Sequence, residues 1–69
     1  MNNDFGKTLK ELRTEKQIGQ IELSKKLGVT SGMISNWENG VHEPKLSNLI
    51  AIADFFDVSI DYLAGRVDY

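Results

Sequence analysis

The sequence predicts an all-α domain of five helices. Apolar residues recur at intervals of three and four along most of the chain, the spacing that places them on one face of a helix. Glycines interrupt this pattern at Gly28, Gly40 and Gly65, where a left-handed conformation would end a helix. A chain of 69 residues has room for one modest core, so we expect a single domain over residues 1–69.

The composition excludes several kinds of chemical site. The chain contains no cysteine and a single histidine, His42, so it forms no disulfide and no thiolate metal site. It also shows no paired nucleophile and base and no phosphate-cradling glycine loop. We therefore expect no enzyme activity, no metal and no cofactor.

The distribution of apolar and charged residues indicates a cytoplasmic protein without a membrane partner. No apolar run approaches the roughly 18 residues that span a bilayer, and the polar start lacks the features of a secretion signal. The net charge of −2 divides into +1 over residues 1–46 and −3 over residues 47–69. The first part of the chain is therefore the better candidate for an approach to phosphates.

The first two helices are indicated by their caps and apolar stripes. Asn3 or Asp4 is expected to cap a first helix, and Gly19 to cap a second helix over residues 20–27. The inward residues are expected to be Phe5, Leu9 and Leu12 in the first helix and Leu23, Ser24 and Leu27 in the second. Ile21 fits the second stripe poorly, and either Ile18 or a neighbouring helix partly covers it or it contacts a partner.

A tight reversal joins the second helix to the third. Gly28 is expected to end the second helix, and Thr30 is a hydroxyl N-cap for the third, with only Val29 between them. Such a short connection is typical of a helix-turn-helix unit. In the third helix Met33, Ile34 and Trp37 are expected to pack inward. The adjoining arc is either a face that reads another surface or an ordinary solvent-exposed face, and it comprises Ser31, Gly32, Ser35 and Asn36.

The fourth helix is predicted from about Lys45 to Phe56, with Pro44 at its first position. It carries the densest apolar stripe in the chain, formed by Leu46, Leu49, Ile50, Ala53 and Phe56. The loop before this helix places His42 and Lys45 beside the third helix, where they either meet phosphates or are simply solvated.

Ser59 is expected to cap a fifth helix from Ile60 to Ala64. The end of the chain is rich in apolar side chains, which either mediate self-association or cover the fourth helix. The candidate dimer contacts are Ile60, Tyr62, Leu63, Val67 and Tyr69, so that the tail 66–69 belongs to this candidate surface.

One spacing pattern resembles that of a known family. It reads Gln20-x-x-Leu23-Ser24-x-x-x-Gly28-Val29-x-x-x-x-Ile34-Ser35-x-Trp37-Glu38-Asn39-Gly40, followed by Pro44. This pattern is similar to that of the phage repressor and Cro-like (XRE-type) helix-turn-helix DNA-binding family, and the similarity extends from about Phe5 to Gly65. It implies a compact five-helix, lambda-repressor-like domain in which the second and third helices form the DNA-binding unit.

The resemblance also implies roles for individual residues. Base-facing positions match Ser31, Gly32, Ser35 and Asn36, and positions beside the DNA backbone match Gln20 and Thr30. Arg13 and Glu38 match a structural ion pair between the first and third helices, and Trp37 matches a buried position. Gly19 stands where the family commonly has serine or threonine, and Ser24 where it has alanine. Only Asn36 offers a bidentate match to a base, adenine.

The expected function is that of a sequence-specific transcriptional regulator, a repressor of a prophage or mobile element. The resemblance implies that it binds a palindromic operator in double-stranded DNA as a homodimer. The alternative is an antitoxin or another regulator whose main partner is a protein, and an antirepressor would be a further protein partner.

Overall fold

Five α-helices follow one another along residues 4–65, which are the residues that this computed structural model describes; for Asp4 it describes the backbone alone. The helices are α1 (Asp4–Glu15), α2 (Gln20–Leu27), α3 (Ser31–Glu38), α4 (Leu46–Phe56) and α5 (Ile60–Leu63). The predicted all-α fold is confirmed. No helix in this part of the chain is long and apolar enough to cross a membrane.

The core lies where all five helices meet. α3 packs against both α1 and α2, while α5 packs against α1 and α4. The ring of Phe5 meets the ring of Trp37 edge to face, with centroids 6.4 Å apart. The buried apolar residues are Phe5, Leu9, Leu23, Ile34, Trp37, Leu49, Ile52, Ala53, Phe56 and Leu63.

The start of α1 differs from the sequence expectation. Asp4 is already helical and is not the N-cap; Asn3, the other candidate, lies outside the described residues. At the other end Gln17 adopts a left-handed φ of 58°. The N–H of Ile18 then donates to the carbonyl of Arg13 at 3.2 Å, which satisfies one of the last free carbonyls of the helix.

The inward face of α2 is formed by Leu23 and Ser24, both buried. The hydroxyl of Ser24 donates a hydrogen bond of 2.7 Å to the carbonyl of Ile21, so its burial leaves no unsatisfied group. The Ile21 side chain itself is 64% exposed. It is thus at most partly covered, and its direction on the helix is roughly opposite that of Leu23.

The connection between α2 and α3 has the predicted chemistry. Gly28 has a φ of 72°, and the N–H of Val29 donates to the carbonyl of Ser24 at 3.0 Å. The hydroxyl oxygen of Thr30 accepts from the N–H of Met33 at 3.1 Å and so caps α3. The predicted roles of Gly28 and Thr30 are confirmed, and the reversal holds α3 against α2.

The inward arc of α3 is narrower than its sequence indicates. Ile34 and Trp37 are buried, but Met33 is 37% exposed. The prediction that Met33 packs inward was wrong, because α1 and α2 cover the side of α3 on which Ile34 and Trp37 lie. Met33 lies at the edge of that contact.

The apolar stripe of α4 is rotated from the predicted one. Leu46 is 66% exposed and Ile50 is also exposed, so their assignment to the core was wrong. Ile52 is fully buried and was missed. It lies three residues after Leu49 and four before Phe56, and this spacing defines the face that meets the other helices.

The start of α4 also differs from the expectation, while its last residue, Phe56, is the predicted one. Lys45 is the N-cap and Leu46 the first helical residue, so Pro44 precedes the cap and does not occupy the first helical position. Its fixed φ suits an extended approach to the helix equally well. At the other end Asp57 adopts a left-handed φ of 56°.

α5 is one turn long and has the predicted N-cap. The hydroxyl of Ser59 accepts from the N–H of Tyr62 at 3.0 Å. The helix ends at Leu63, and Ala64 is its C-cap. Gly65 then takes a left-handed φ of 76°.

Candidate nucleic-acid interface

The exposed arc of α3 carries short polar side chains with unused hydrogen-bonding capacity. Gly32 is exposed, while Ser31, Ser35 and Asn36 are half-buried. The hydroxyl of Ser35 accepts from the side-chain amide of Asn39 at 3.3 Å and keeps its own O–H to donate. The side-chain amide of Asn36 has no partner among residues 4–65, so both its donor and its acceptor remain available.

A groove beside α3 brings three of the predicted site residues together. Its volume is about 220 Å³, and the start of α4 and the preceding loop form its other wall. Asn36 thereby shares one concavity with His42 and Lys45. The described lining residues are Met33, Asn36, Trp37, His42, Glu43, Lys45 and Asn48.

Four of these lining residues had no predicted role at the site. Trp37 was expected to be buried, and Glu43 had been given no role. Met33 had been assigned to the core, and Asn48 had no assigned role. Asn48 lies three residues after Lys45 and so shares its side of α4, which is the signal that could have identified it. The 3.6-residue period alone could not identify Met33, because it does not fix how wide the covered arc of α3 is.

The predicted ion pair between α1 and α3 is present. Arg13 donates from Nε to one carboxylate oxygen of Glu38 at 2.7 Å and from Nη2 to the other at 3.1 Å. The two side chains are 14% and 4% exposed, so the pair is largely removed from water. Arg13 also donates from Nη1 to the carbonyl of Ile18 at 3.0 Å. These bonds tie the connection after α1 to the end of α3.

The same pair keeps Arg13 charged. The hydrogen bond that Arg13 donates to Glu38 raises the pKa of the guanidinium above its ordinary value. Burial acts in the opposite direction, and the nearby carboxylate charge adds to the increase. A raised pKa stabilises the folded state at every pH below the ordinary value and loses that effect only at higher pH. Arg13 therefore remains positively charged throughout the neutral pH range.

Gln20 joins this pair at the first residue of α2. Its Nε2 donates to the carboxylate oxygen Oε1 of Glu38 at 3.1 Å. Sequence reasoning gave Gln20 a role toward phosphate and missed the bond to Glu38, which only the three-dimensional contact of α2 with α3 creates. One N–H of the amide is thus occupied and the other has no partner among the described residues.

The starts of α2 and α3 each offer hydrogen-bond donors. Gly19 caps α2 without any side-chain hydrogen bond, which leaves the first N–H groups of that helix without a side-chain partner at the cap. At the start of α3 the Thr30 oxygen is used by Met33, but its O–H remains free to donate. Both ends therefore present donors, and the partial positive charge of a helix start accompanies them.

Nothing among residues 4–65 requires a glycine at position 32. A Cβ at this position would meet only the Thr30 hydroxyl oxygen, at 3.8 Å, which is an ordinary contact. Its backbone φ is not left-handed, because the positive-φ glycines are Gly28, Gly40 and Gly65. An alanine would fit the monomer.

The candidate dimer contacts divide into three groups. Ile60 is 36% exposed and Tyr62 is half-buried, so both are accessible. Leu63 is fully buried, and its assignment to a dimer surface was wrong because it packs within the core. Val67 and Tyr69 lie outside the described residues.

Among residues 4–65 no group of three His, Cys, Asp or Glu side chains is arranged to hold a metal ion. A larger groove of about 570 Å³ runs along α1, where its described lining comes from Lys7, Lys10, Glu11, Thr14 and Glu15. These are the solvated charges of that helix, and they carry none of the predicted site residues.

The chain is similar in sequence to known proteins. A helix-turn-helix family model matches residues 9–63. Over 60 residues the chain is 40% identical to the HTH-type transcriptional activator BcrR of Enterococcus faecalis, which covers 87% of this chain and 29% of that protein. Over 59 residues it is 36% identical to repressor protein C2 of Salmonella phage P22, covering 86% of this chain and 27% of that protein.

A solved structure shares the arrangement of the helices. The P22 c2 repressor in complex with a synthetic operator superimposes with a TM-score of 0.86 at 33% identity, covering 91% of this chain and 96% of that one. The chain spans less than a third of the full length of the activator and the phage repressor. The shared region in those proteins is thus one part of a longer chain.

Proposed function

The chain belongs to the helix-turn-helix family, and we propose that it is a sequence-specific DNA-binding transcriptional regulator, most consistent with a cytoplasmic repressor of a prophage or mobile element. The observation that carries this proposal is the Asn36 amide, which has no partner among residues 4–65 and lies beside the groove that also contains His42 and Lys45. A base-reading group and two phosphate-binding groups thus lie at one edge of α3. It acts by binding, without catalysis.

α3 enters the major groove of duplex DNA in this proposal. Ser31, Gly32, Ser35 and Asn36 face the bases, and the Asn36 amide pairs with adenine, whose N6 and N7 present one donor and one acceptor. Short serine side chains add weaker contacts, so DNA shape and bridging waters contribute to specificity. Direct readout is consequently modest.

Phosphates are held at the margins of this face. Thr30 donates through its free O–H, and Gln20 through its remaining N–H at the start of α2. His42 and Lys45 approach the backbone from the other side of α3. Such contacts fix the position of α3 in the groove and carry little sequence information.

We further propose that the protein binds a palindromic operator as a homodimer. Two copies would place their α3 helices on half-sites about one helical turn apart. Ile60 and Tyr62 are the accessible members of the candidate contact surface, and Val67 and Tyr69 belong to the same proposal. The match to phage repressors supports repression, by occlusion of a promoter.

A second candidate is a regulator whose main partner is a protein, such as the toxin of a toxin–antitoxin pair or an antirepressor. The observation that favours it is Ile21, an apolar side chain that is 64% exposed on α2. Purification with the product of a neighbouring gene distinguishes the two. A stable complex from a protein that selects no DNA sequence supports this candidate.

Selection of bound sequences from a random DNA pool tests the leading proposal. Recovery of a palindrome gives the operator, its symmetry and its half-site spacing together. If repeated rounds enrich no sequence, the proposal of sequence-specific binding is wrong.

The Asn36→Ala variant tests the reading face. We expect a loss of about 1 to 3 kcal/mol in binding to the selected operator and little change with random DNA, because the amide contacts a base edge. Fluorescence anisotropy with both duplexes measures this difference. Ser47→Ala, an exposed change on α4, is the control. Equal losses on both duplexes would assign Asn36 to phosphate.

A further inference from the structure

Glu38 is the point at which three helices meet through one side chain. Its carboxylate accepts two hydrogen bonds from Arg13 of α1 and one from Gln20 of α2, and Glu38 is itself the last residue of α3. The side chain is 4% exposed. An ion pair between Arg13 and Glu38 needs only the first two bonds, so the third calls for its own explanation.

The carboxylate fixes the orientation of the Gln20 amide. Carboxylate oxygens only accept hydrogen bonds, so the group that faces Glu38 has to be the NH₂ end of the amide and not its oxygen. One N–H points at Glu38 Oε1, 3.1 Å away. The second N–H diverges from it within the amide plane and has no partner among residues 4–65, and Gln20 as a residue is only half-buried.

We propose that Glu38 is a positioning residue for DNA binding, which holds the Gln20 amide so that its second N–H is aimed at a DNA phosphate. This inference rests on the proposed function. Holding the amide before DNA arrives reduces the side-chain entropy that is lost on binding. Arg13 neutralises the carboxylate, and without that pairing its charge would repel the same phosphate.

Simple electrostatics and the proposal predict opposite changes in DNA affinity for one substitution, Glu38→Gln. Glu38→Gln removes a negative charge near the DNA and leaves Arg13 unneutralised, so charge alone predicts tighter binding. If Glu38 positions Gln20, the same substitution weakens binding, because the amide no longer faces an obligatory acceptor.

The test is a double-mutant cycle on the selected operator with Gln20→Ala, Glu38→Gln and the double variant. We expect Gln20→Ala and Glu38→Gln each to weaken binding by about tenfold, and the double variant to bind no more weakly than either, since both remove the same contact. Glu15→Gln removes an exposed charge on α1 without touching Gln20, and is the matched control. Binding is measured where circular dichroism shows each variant to be folded.

The cycle separates a positioning role from a structural one. If Gln20→Ala still costs tenfold in the Glu38→Gln background, or if Glu38→Gln tightens binding, the inference is overturned. A methylphosphonate scan of the operator adds a second readout. Among the neutralised phosphates that weaken the wild-type protein, we expect one, the phosphate that Gln20 contacts, to leave Gln20→Ala and Glu38→Gln unaffected. A wild-type protein that selects no operator overturns the proposed function instead, which is a different outcome.

A measurement on the unmodified protein covers the case in which Glu38→Gln does not fold. In the NMR spectrum of the free protein we expect one Nε2 proton of Gln20 to be shifted from its position in a solvated glutamine by its bond to the carboxylate. Operator DNA then shifts the second proton. Two Nε2 protons at the positions of a solvated glutamine, both unchanged by operator DNA, would contradict the inference.

Discussion

Gly32 illustrates how single residues on α3 serve binding and not folding. It lies in the first turn of the helix, where glycine is less favourable than alanine, and a Cβ would find an ordinary contact with the Thr30 hydroxyl. Nothing in residues 4–65 therefore requires a glycine here. In the proposed complex the absence of a side chain lets α3 approach the bases closely.

The Gly32→Ala variant tests this interpretation. We expect the free energy of unfolding in urea to rise by about 0.5 to 1 kcal/mol, since alanine restricts the unfolded chain and favours the helix. Affinity for the selected operator should fall at the same time, because the added methyl group enters the DNA contact. A more stable variant with unchanged operator affinity would remove Gly32 from the interface.

At the scale of the helices, local chemistry was predictable and packing direction was not. Gly19, Thr30 and Ser59 mark the starts of α2, α3 and α5, because an N-cap depends on only a few neighbouring residues. The stripe of α4 was rotated because Leu46 and Ile50 satisfy the same helical period as the buried residues. Which apolar arc is covered depends on the other helices.

The candidate site likewise contains residues that local spacing predicted and one contact that it could not predict. Short polar residues on the outer arc of α3 were identifiable from spacing, since Ile34 and Trp37 define the opposite face. The resemblance supplied the pairing of Arg13 with Glu38. The bond from Gln20 to Glu38 joins residues 18 positions apart on different helices, and no local pattern indicates it.

The rotated stripe of α4 predicts different sensitivities for two apolar residues. Ile52→Ala should lower the free energy of unfolding by about 2 to 5 kcal/mol, because it leaves a cavity in a closed core. Leu46→Ala, its control on the same helix, should change stability by less than about 0.5 kcal/mol. Urea unfolding of both proteins measures the contrast, and similar losses would mean that Leu46 is covered.

For the molecule as a whole, the charge distribution limits how strongly DNA is attracted. The net charge is −2, which is the sum of +1 over residues 1–46 and −3 over residues 47–69. Few cations are therefore available to replace the ions that surround DNA. Much of the phosphate binding is instead assigned to uncharged donors such as Thr30, Gln20 and the backbone N–H groups of helix starts.

This charge distribution predicts a shallow salt dependence. Because each neutralised phosphate contributes roughly 0.9 to the slope of log K against log salt, a domain with few cations at its interface should show a small slope. Titrations of the selected operator over a range of potassium chloride concentrations measure it. A steep slope would show that many more phosphates are neutralised than His42 and Lys45 can reach.

Dimer formation gives a second prediction at this scale. Ile60→Lys should weaken operator binding and abolish cooperative occupation of the two half-sites, while the fold is retained, because Ile60 is accessible. Leu63→Ala should instead lower stability by about 2 to 5 kcal/mol, since Leu63 is enclosed by the core. Gel-shift titrations with one and two half-sites measure the first effect. Undiminished cooperativity would place the dimer contact elsewhere.

The carboxylate of Glu38 also has an evolutionary consequence. In a relative that loses this carboxylate, the residue equivalent to Arg13 is a partly buried charge without a counter-charge. The residue equivalent to Gln20 also loses its acceptor, so one change removes an interaction of two other positions. Replacement of Arg13 alone strands the carboxylate in the same way. Positions 13, 20 and 38 are therefore expected to be inherited together or replaced together, a linkage visible in the descent of related sequences.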